Sequence, residues 1–272
     1  MQDGDAKVIG GWRHFFHIEA MRQLSIIAII AYLILAPQAQ AMERPYRVSL
    51  IGDGFDGTAW HTGILIELDD GWKTYWRMPG EAGIPPDFTW KTSVPADVVV
   101  NFPTPGRYHD ASGETVGYEH EVVFPVTVNA GPATSVTVDL SLFFAVCKDV
   151  CIPAKAEASI MLGPVVKDQA GAARVEQAMA SVPKPGKLVS AASVIVESGK
   201  PVLLLTLAER PGDIFVETST SAYFRAPQFS ADGKMARLVI DNVADVAKLK
   251  GAMLKLTLSQ GGRGLEQSLT LP

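Results

Sequence analysis

From Tyr46 onward apolar and polar residues alternate with a period of two in short, β-branched runs. Clusters of Gly, Pro, Asp and Asn bound these runs, as expected for antiparallel strands with one buried face. Tyr46 to Ile51, Trp60 to Leu68, Trp72 to Trp76, Ala96 to Asn101, Glu121 to Val128, Ser135 to Ala145 and Ala156 to Leu162 are the predicted strands. No helical pattern interrupts them, which predicts an all-β, immunoglobulin-like β-sandwich. A thioredoxin fold needs βαβ units, and none is present.

Between Pro164 and Pro183 the period changes: Val165, Val166, Ala172, Val175, Ala178 and Met179 recur at helical spacing. A linker helix is expected there, within a connecting segment 164–186. Alternation then returns at Ala192 to Glu197, Pro201 to Leu207, Ile214 to Thr218, Met235 to Asp241, Met253 to Ser259 and Gly264 to Leu271. This predicts a second, smaller β-sandwich over 187–272, without cysteine, histidine or tryptophan, suited to a scaffold or docking role. The first sandwich, assigned to 42–163, is expected to fold without Ala192 to Pro272, since domains with their own cores can fold alone.

The opening residues have a different character. Met21-Arg22-Gln23 is a short basic start, Leu24 to Ala36 is apolar apart from Ser25 and Tyr32, and Ala39-Gln40-Ala41 is a small-x-small cleavage pattern. As a helix the apolar run covers about 20 Å, less than the roughly 30 Å of a bilayer core. Residues 1–41 are therefore expected to be a cleaved signal peptide, with 1–20 a possible spurious extension before Met21, and the mature protein is expected in the periplasm. The removed segment balances Asp3, Asp5 and Glu19 against Lys7, Arg13 and Arg22, so the net charge of −5 stays with the mature chain. An acidic balance disfavours nucleic acid as a partner.

The chain contains 2 cysteines, Cys147 and Cys151. Along a continuous strand residues four apart are about 13 Å apart, beyond the roughly 7 Å limit for a disulfide. The chain must therefore bend at Lys148-Asp149, as a turn at a strand end or as one helical turn. In an oxidising compartment the two can pair. So short a loop adds little by restricting the unfolded chain, and a chain of this length does not need a covalent staple to fold. Both considerations favour a reactive pair over a structural clip. Lys148 favours a neighbouring thiolate and Asp149 opposes it. No Ser-His-Asp order, catalytic carboxylate pair or phosphate-binding glycine loop competes with this site.

The run Gly71-Trp72-Lys73-Thr74-Tyr75-Trp76-Arg77-Met78-Pro79-Gly80-Glu81-Ala82-Gly83-Ile84-Pro85-Pro86, followed by Phe88 and Trp90, resembles the GWKTYWR-PG-AG-PP pattern of DsbD N-terminal (periplasmic alpha) domains. With Cys151-Ile152-Pro153 the resemblance extends over about Tyr46 to Leu162. Taken alone, Trp72, Tyr75, Trp76, Phe88 and Trp90 read as sandwich core, and the prolines and glycines as a rigid loop beside it. The resemblance implies thiol:disulfide interchange of the protein-disulfide reductase type without an organic cofactor or metal. It further implies Cys151 as the cysteine that forms the mixed disulfide and Cys147 as the one that resolves it. The three residues between the cysteines depart from the five of the best-known members and match the suppressor-of-copper-sensitivity branch. The family's cap loop corresponds to Arg107 through Tyr118. Ala111 or Ser112 stands where the shielding aromatic is expected, leaving Tyr108, His109, Asp110 and Tyr118 as candidate cap residues.

The resemblance also implies partners. Electrons would come from a thioredoxin-like reductant or a DsbD/CcdA-type membrane protein, expected to be separate because the chain ends at Pro272 without such parts, and would pass to periplasmic disulfide-containing proteins. Two rivals remain. One is a copper(I)-binding or copper-tolerance module in which His61, His109 or His120 joins the thiolates, since Cys and His suit soft metals. The other is a non-catalytic interaction protein with a structural disulfide.

Overall fold

The computed structural model describes residues 44–80, 83–110, 113–165, 167–243 and 245–272. The expected signal peptide lies outside them. Among the described residues no helix is long and apolar enough to cross a membrane.

The first sandwich has ten strands: β1 (Tyr46–Phe55), β2 (Trp60–Leu68), β3 (Lys73–Gly80), β4 (Asp87–Thr92), β5 (Asp97–Val100), β6 (Gly106–Asp110), β7 (Gly113–Glu119), β8 (Glu121–Asn129), β9 (Val136–Cys147) and β10 (Cys151–Leu162). One sheet runs β1-β2-β8-β5, the other β10-β9-β3-β7-β6, with β4 also paired to β9. All seven expected strands are present, and the immunoglobulin-like sandwich is the fold. Alternation sets the core: Val136, Val138, Leu140, Leu142 and Phe144 of β9 point inward against Trp60, Trp76 and Phe124.

Strands β4, β6 and β7 were not expected. β4 carries Phe88 and Trp90 on its inner face. β6 and β7 are rich in glycine and polar residues, which reads locally as loop. Gly117 is required by packing: a Cβ there would lie 1.9 Å from the Thr74 carbonyl oxygen on β3. Only a residue without a side chain allows the two strands to approach.

Helix α1 (Gln169–Ala180) is shorter than the helical pattern and lies on the first sandwich, with Val175 buried against Leu65 and Val123. Its start is pinned to a bulge in β1. Asp53, buried, accepts the amides of Lys167 and Asp168, both at 2.8 Å. Asp168 caps the helix through Gly171 N and accepts Gly52 N, both at 2.9 Å. Gly52 sits at φ +69°, and a Cβ there would strike the helix backbone.

The second sandwich pairs β11 (Lys184–Pro185), β19 (Arg263–Thr270), β18 (Met253–Gln260) and β14 (Asp213–Thr218) in one sheet. The other holds β12 (Val189–Glu197), β13 (Lys200–Leu207), β17 (Met235–Asp241) and β15 (Tyr223–Phe224), with β16 (Gln228–Phe229) paired to β17. Leucines from both sheets fill its core.

The two sandwiches do not keep their cores apart. Phe215 of β14 is 3% exposed and belongs to the first sandwich's apolar cluster, its ring centroid 5.8 Å from that of Trp76. Residues Pro45–Pro272 form one compact unit. Alternation identifies strands but not which neighbour an outward-facing side chain meets, and Phe215 is such a side chain.

Candidate functional site

Strands β9 and β10 form a hairpin in which Cys147 and Cys151 are opposite partners at the closing rung. The chain bends as a strand-end turn, bringing the two Cα atoms to 4.0 Å, and the sulfurs are joined. The two cysteines differ in environment. Cys147 ends β9 on the face opposite its core-facing run and is nonetheless 1% exposed, clustered with Tyr75 and Ala145. Cys151 opens β10 and is exposed, next to Val150 at 67% exposure. Ile152 packs against the core and anchors the rung after it. In the turn, Lys148 Nζ donates to the Asp70 carbonyl at 3.0 Å, lying across Gly71. The turn is thereby clamped to the preceding β2–β3 connection.

β3 provides the other wall. Lys73 and Thr74 pair with Cys147 and Val146, and the Thr74 hydroxyl donates to the Ala145 carbonyl at 3.0 Å. Tyr75 is 1% exposed, and its hydroxyl donates to Cys151 Sγ at 3.1 Å. Residue type predicted a core aromatic, and the ring is one; the direction of its hydroxyl follows from the pairing of β3 with β9, which sequence pattern does not reveal. The loop after β3 encloses this ring: a Cβ on Gly83 would lie 2.6 Å from Tyr75 Cε1. The small residue of the proline-glycine motif thus permits close cover of the phenol that touches the sulfur.

The cap candidates are distributed differently. β6 and β7 pair as a hairpin, Tyr108 opposite Thr115 and His109 opposite Glu114. Tyr108 is half-buried, with Lys73 Nζ 5.9 Å from its ring centroid, which brings it to the strand neighbour of Cys147. Burial, and then the Glu119 charge, raise its pKa. Tyr118 does not cap the disulfide: it is a core residue, its ring edge-on to Phe124 and its hydroxyl donating to the Pro103 carbonyl at 2.8 Å. Burial holds its pKa well above the ordinary phenol value. His109 is exposed with Nε2 3.1 Å from Glu114. The side chains of Asp110, Ala111 and Ser112 lie outside the described residues.

The other histidines are engaged apart from the cysteines. His61 Nε2 is 2.8 Å from Asp56, and this bond, with those from Ala59 and Thr58, lowers the Asp56 pKa. His120 occupies the β7–β8 turn, at φ 61°, where its carbonyl accepts Leu68 N at 2.7 Å. Among the described residues no group of three or more His, Cys, Asp or Glu side chains is placed to hold a metal ion.

An accessible sulfur bonded to a buried one, on a hairpin whose partner strand delivers a phenol, makes this an immunoglobulin-like domain that presents a disulfide at its surface. Residues 44–162, the first sandwich, match the family described as thiol:disulfide interchange protein DsbD, N-terminal. Residues 181–272 match a domain of unknown function (DUF8393). Among solved structures the N-terminal periplasmic domain of ScsB from Proteus mirabilis has the same fold, with a TM-score of 0.65 and 24% identity over 82% of this chain and 91% of that one. A search of curated protein sequences found no match.

Proposed function

We propose that the protein relays electrons by thiol:disulfide exchange in the periplasm, from a thioredoxin-like reductant to disulfide-bonded protein substrates, with Cys151 as the sulfur that meets each partner. The observation that carries this reading is the asymmetry of the pair: Cys151 is exposed and receives the Tyr75 hydroxyl, while Cys147 is buried. Attack on a disulfide requires access to the sulfur attacked. A donor thiolate attacks Cys151 Sγ, a donor–Cys151 bond forms, and Cys147 leaves as the thiolate. The donor's second thiolate then attacks its own sulfur in the mixed disulfide and releases Cys151.

In the reduced protein the order reverses. Cys151 attacks a substrate disulfide and expels one substrate thiolate; Cys147 then attacks Cys151 Sγ and expels the other. Two electrons move to the substrate, and the two protons of the dithiol end on its thiols. Tyr75 donates a hydrogen bond to the Cys151 thiolate, which favours the charged form. Branch kinship with the ScsB fold supports a periplasmic setting.

Equilibration of the purified protein with defined glutathione and dithiothreitol buffers tests this reading. A reduction potential above about −300 mV, together with reduction by a thioredoxin-like donor, is expected for an exchange site; structural disulfides in secreted proteins typically lie below that value. A bond that stays oxidised at the donor's poise makes the pair structural and overturns the proposal.

A further inference from the structure

The face that β14 turns toward the first sandwich is a built set of contacts. Alternation places Ile214 and Val216 in the second sandwich's core and sends Asp213, Phe215 and Glu217 outward. Each outward residue meets one strand of the sheet that carries the redox hairpin. Glu217 receives Arg77 of β3 in a two-pronged bond, 2.9 Å from Nε and 2.8 Å from Nη2, while Glu266 of β19 accepts a further bond at 2.9 Å. Asp213 receives Arg107 of β6 at 2.9 and 3.2 Å, and the Ile214 carbonyl accepts from the same guanidinium at 3.0 Å. Phe215 fills the space between Trp76 and the Arg107 guanidinium. Glu114 of β7, buried, accepts from Arg107 and from Tyr223 of the second sandwich.

These are fixed contacts. Arg77 and Arg107 are side chains of 23% and 6% exposure. Burial opposes their charge, and the carboxylates outweigh it, raising both pKa values. Planar guanidinium forks on carboxylates are the most geometrically restrictive of protein ion pairs. Arg77 is also two residues from Tyr75 on the same strand, with its guanidinium 4.3 Å from the Trp76 ring centroid. The two residues that follow Tyr75 on β3 are thus both held by the second sandwich.

We propose that the second sandwich is a positioning element for the redox site: by holding Arg77 through Glu217 and Glu266, and the β6–β7 hairpin through Asp213 and Tyr223, it keeps the Tyr75 hydroxyl on Cys151. This deepens the exchange reading and rests on it for its biological purpose. Glu217, Glu266, Asp213 and Tyr223 are positioning residues; Tyr75 is the residue that touches the reacting sulfur.

The test uses the full chain with Cys147→Ser, so that Cys151 alone reacts, and follows alkylation by iodoacetamide against pH. Glu217→Gln with Glu266→Gln keeps the side-chain shapes and removes the charge from the fork. The expected result is a Cys151 profile displaced to higher pH, with alkylation at pH 7 slowed roughly two- to tenfold, the range of a single hydrogen bond. Tyr75→Phe is expected to give the same displacement, and adding it to the double variant to give nothing more. Asp241→Asn, which removes an ion pair to Arg225 inside the second sandwich, serves as the control and leaves the profile in place. If the double variant does not fold, Glu217→Asp, which withdraws the carboxylate from the fork, is measured in its place. A profile unchanged by the Glu217 variants, unchanged by Tyr75→Phe, or displaced additively by the two overturns the proposal. Alkylation needs no protein partner, so this outcome is separate from failure of the wild-type protein to exchange with a thioredoxin-like donor, which would overturn the exchange reading.

Discussion

Cys147 and Cys151 share a bond and a hairpin rung, yet the protein buries the first to 1% exposure and leaves the second exposed to solvent. That difference supports the proposal that Cys151 is the sulfur a partner meets, without reference to their order in the chain. Cys147→Ser is expected to accumulate a mixed disulfide with a partner through Cys151, and Cys151→Ser to accumulate little, as read by non-reducing gels and mass spectrometry. Equal trapping by the two variants would show that access does not select the sulfur.

The phenol on Cys151 Sγ gives the second prediction. Tyr75→Phe keeps the buried ring and deletes one donor, so folding should hold while the thiolate loses about 1 kcal/mol of stabilisation. The potential of the Cys147/Cys151 couple should fall, because the reduced form is the one weakened. An unchanged potential would mean that the hydroxyl stabilises the oxidised and reduced forms equally.

Phe215 serves the first core from the second sandwich. Phe215→Ala should cost about 3 to 5 kcal/mol, the range for large aromatic truncations in cores. Deleting 192–272 should cost more, since it also removes both carboxylate partners of Arg77 and the Asp213 partner of Arg107. Denaturant unfolding that finds the truncated chain as stable as the full protein would show that the first domain gains nothing from these contacts.

Asp168 makes stability depend on acid. Bonds from the Gly171 and Gly52 amides hold its pKa below the ordinary aspartate value. A depressed carboxylate contributes fully above its unfolded pKa of about 3.9 and loses that contribution as pH falls through its folded value. Between pH 5 and pH 2.5 the denaturation midpoint of wild type should therefore fall more steeply than that of Asp168→Asn. Parallel curves would remove Asp168 from the acid response.

The strands were legible where burial is one-sided. In β9 each inward residue from Val136 to Phe144 is apolar, and the period of two states the fold directly. The β6–β7 hairpin was not, because Gly117 faces the Thr74 carbonyl, Gly113 takes a positive φ and Gly106 leaves room for the Tyr108 ring, requirements that carry no hydrophobic period. The cysteine pair was legible from spacing and compartment. Its surroundings were less so: Arg77 lies 140 and 189 positions from its two carboxylate partners, and no local pattern marks contacts of that length. Tyr118 was a cap candidate because it is an aromatic in the stretch that resembles the family's cap loop, and the pairing of Thr74 with Tyr118 across β3 and β7 places it in the core.

The disulfide closes a ladder of two twelve-residue strands that are held rung by rung by backbone bonds and by the core beneath them. Cutting the S–S bond would free only the last rung, so reduction is expected to leave the surface around Val150 and Ile152 nearly the same shape. On the proposed exchange reading, a partner that has just exchanged electrons would feel no mechanical push to leave. Turnover would then come from low affinity, with the covalent bond alone prolonging each encounter and its cleavage ending it.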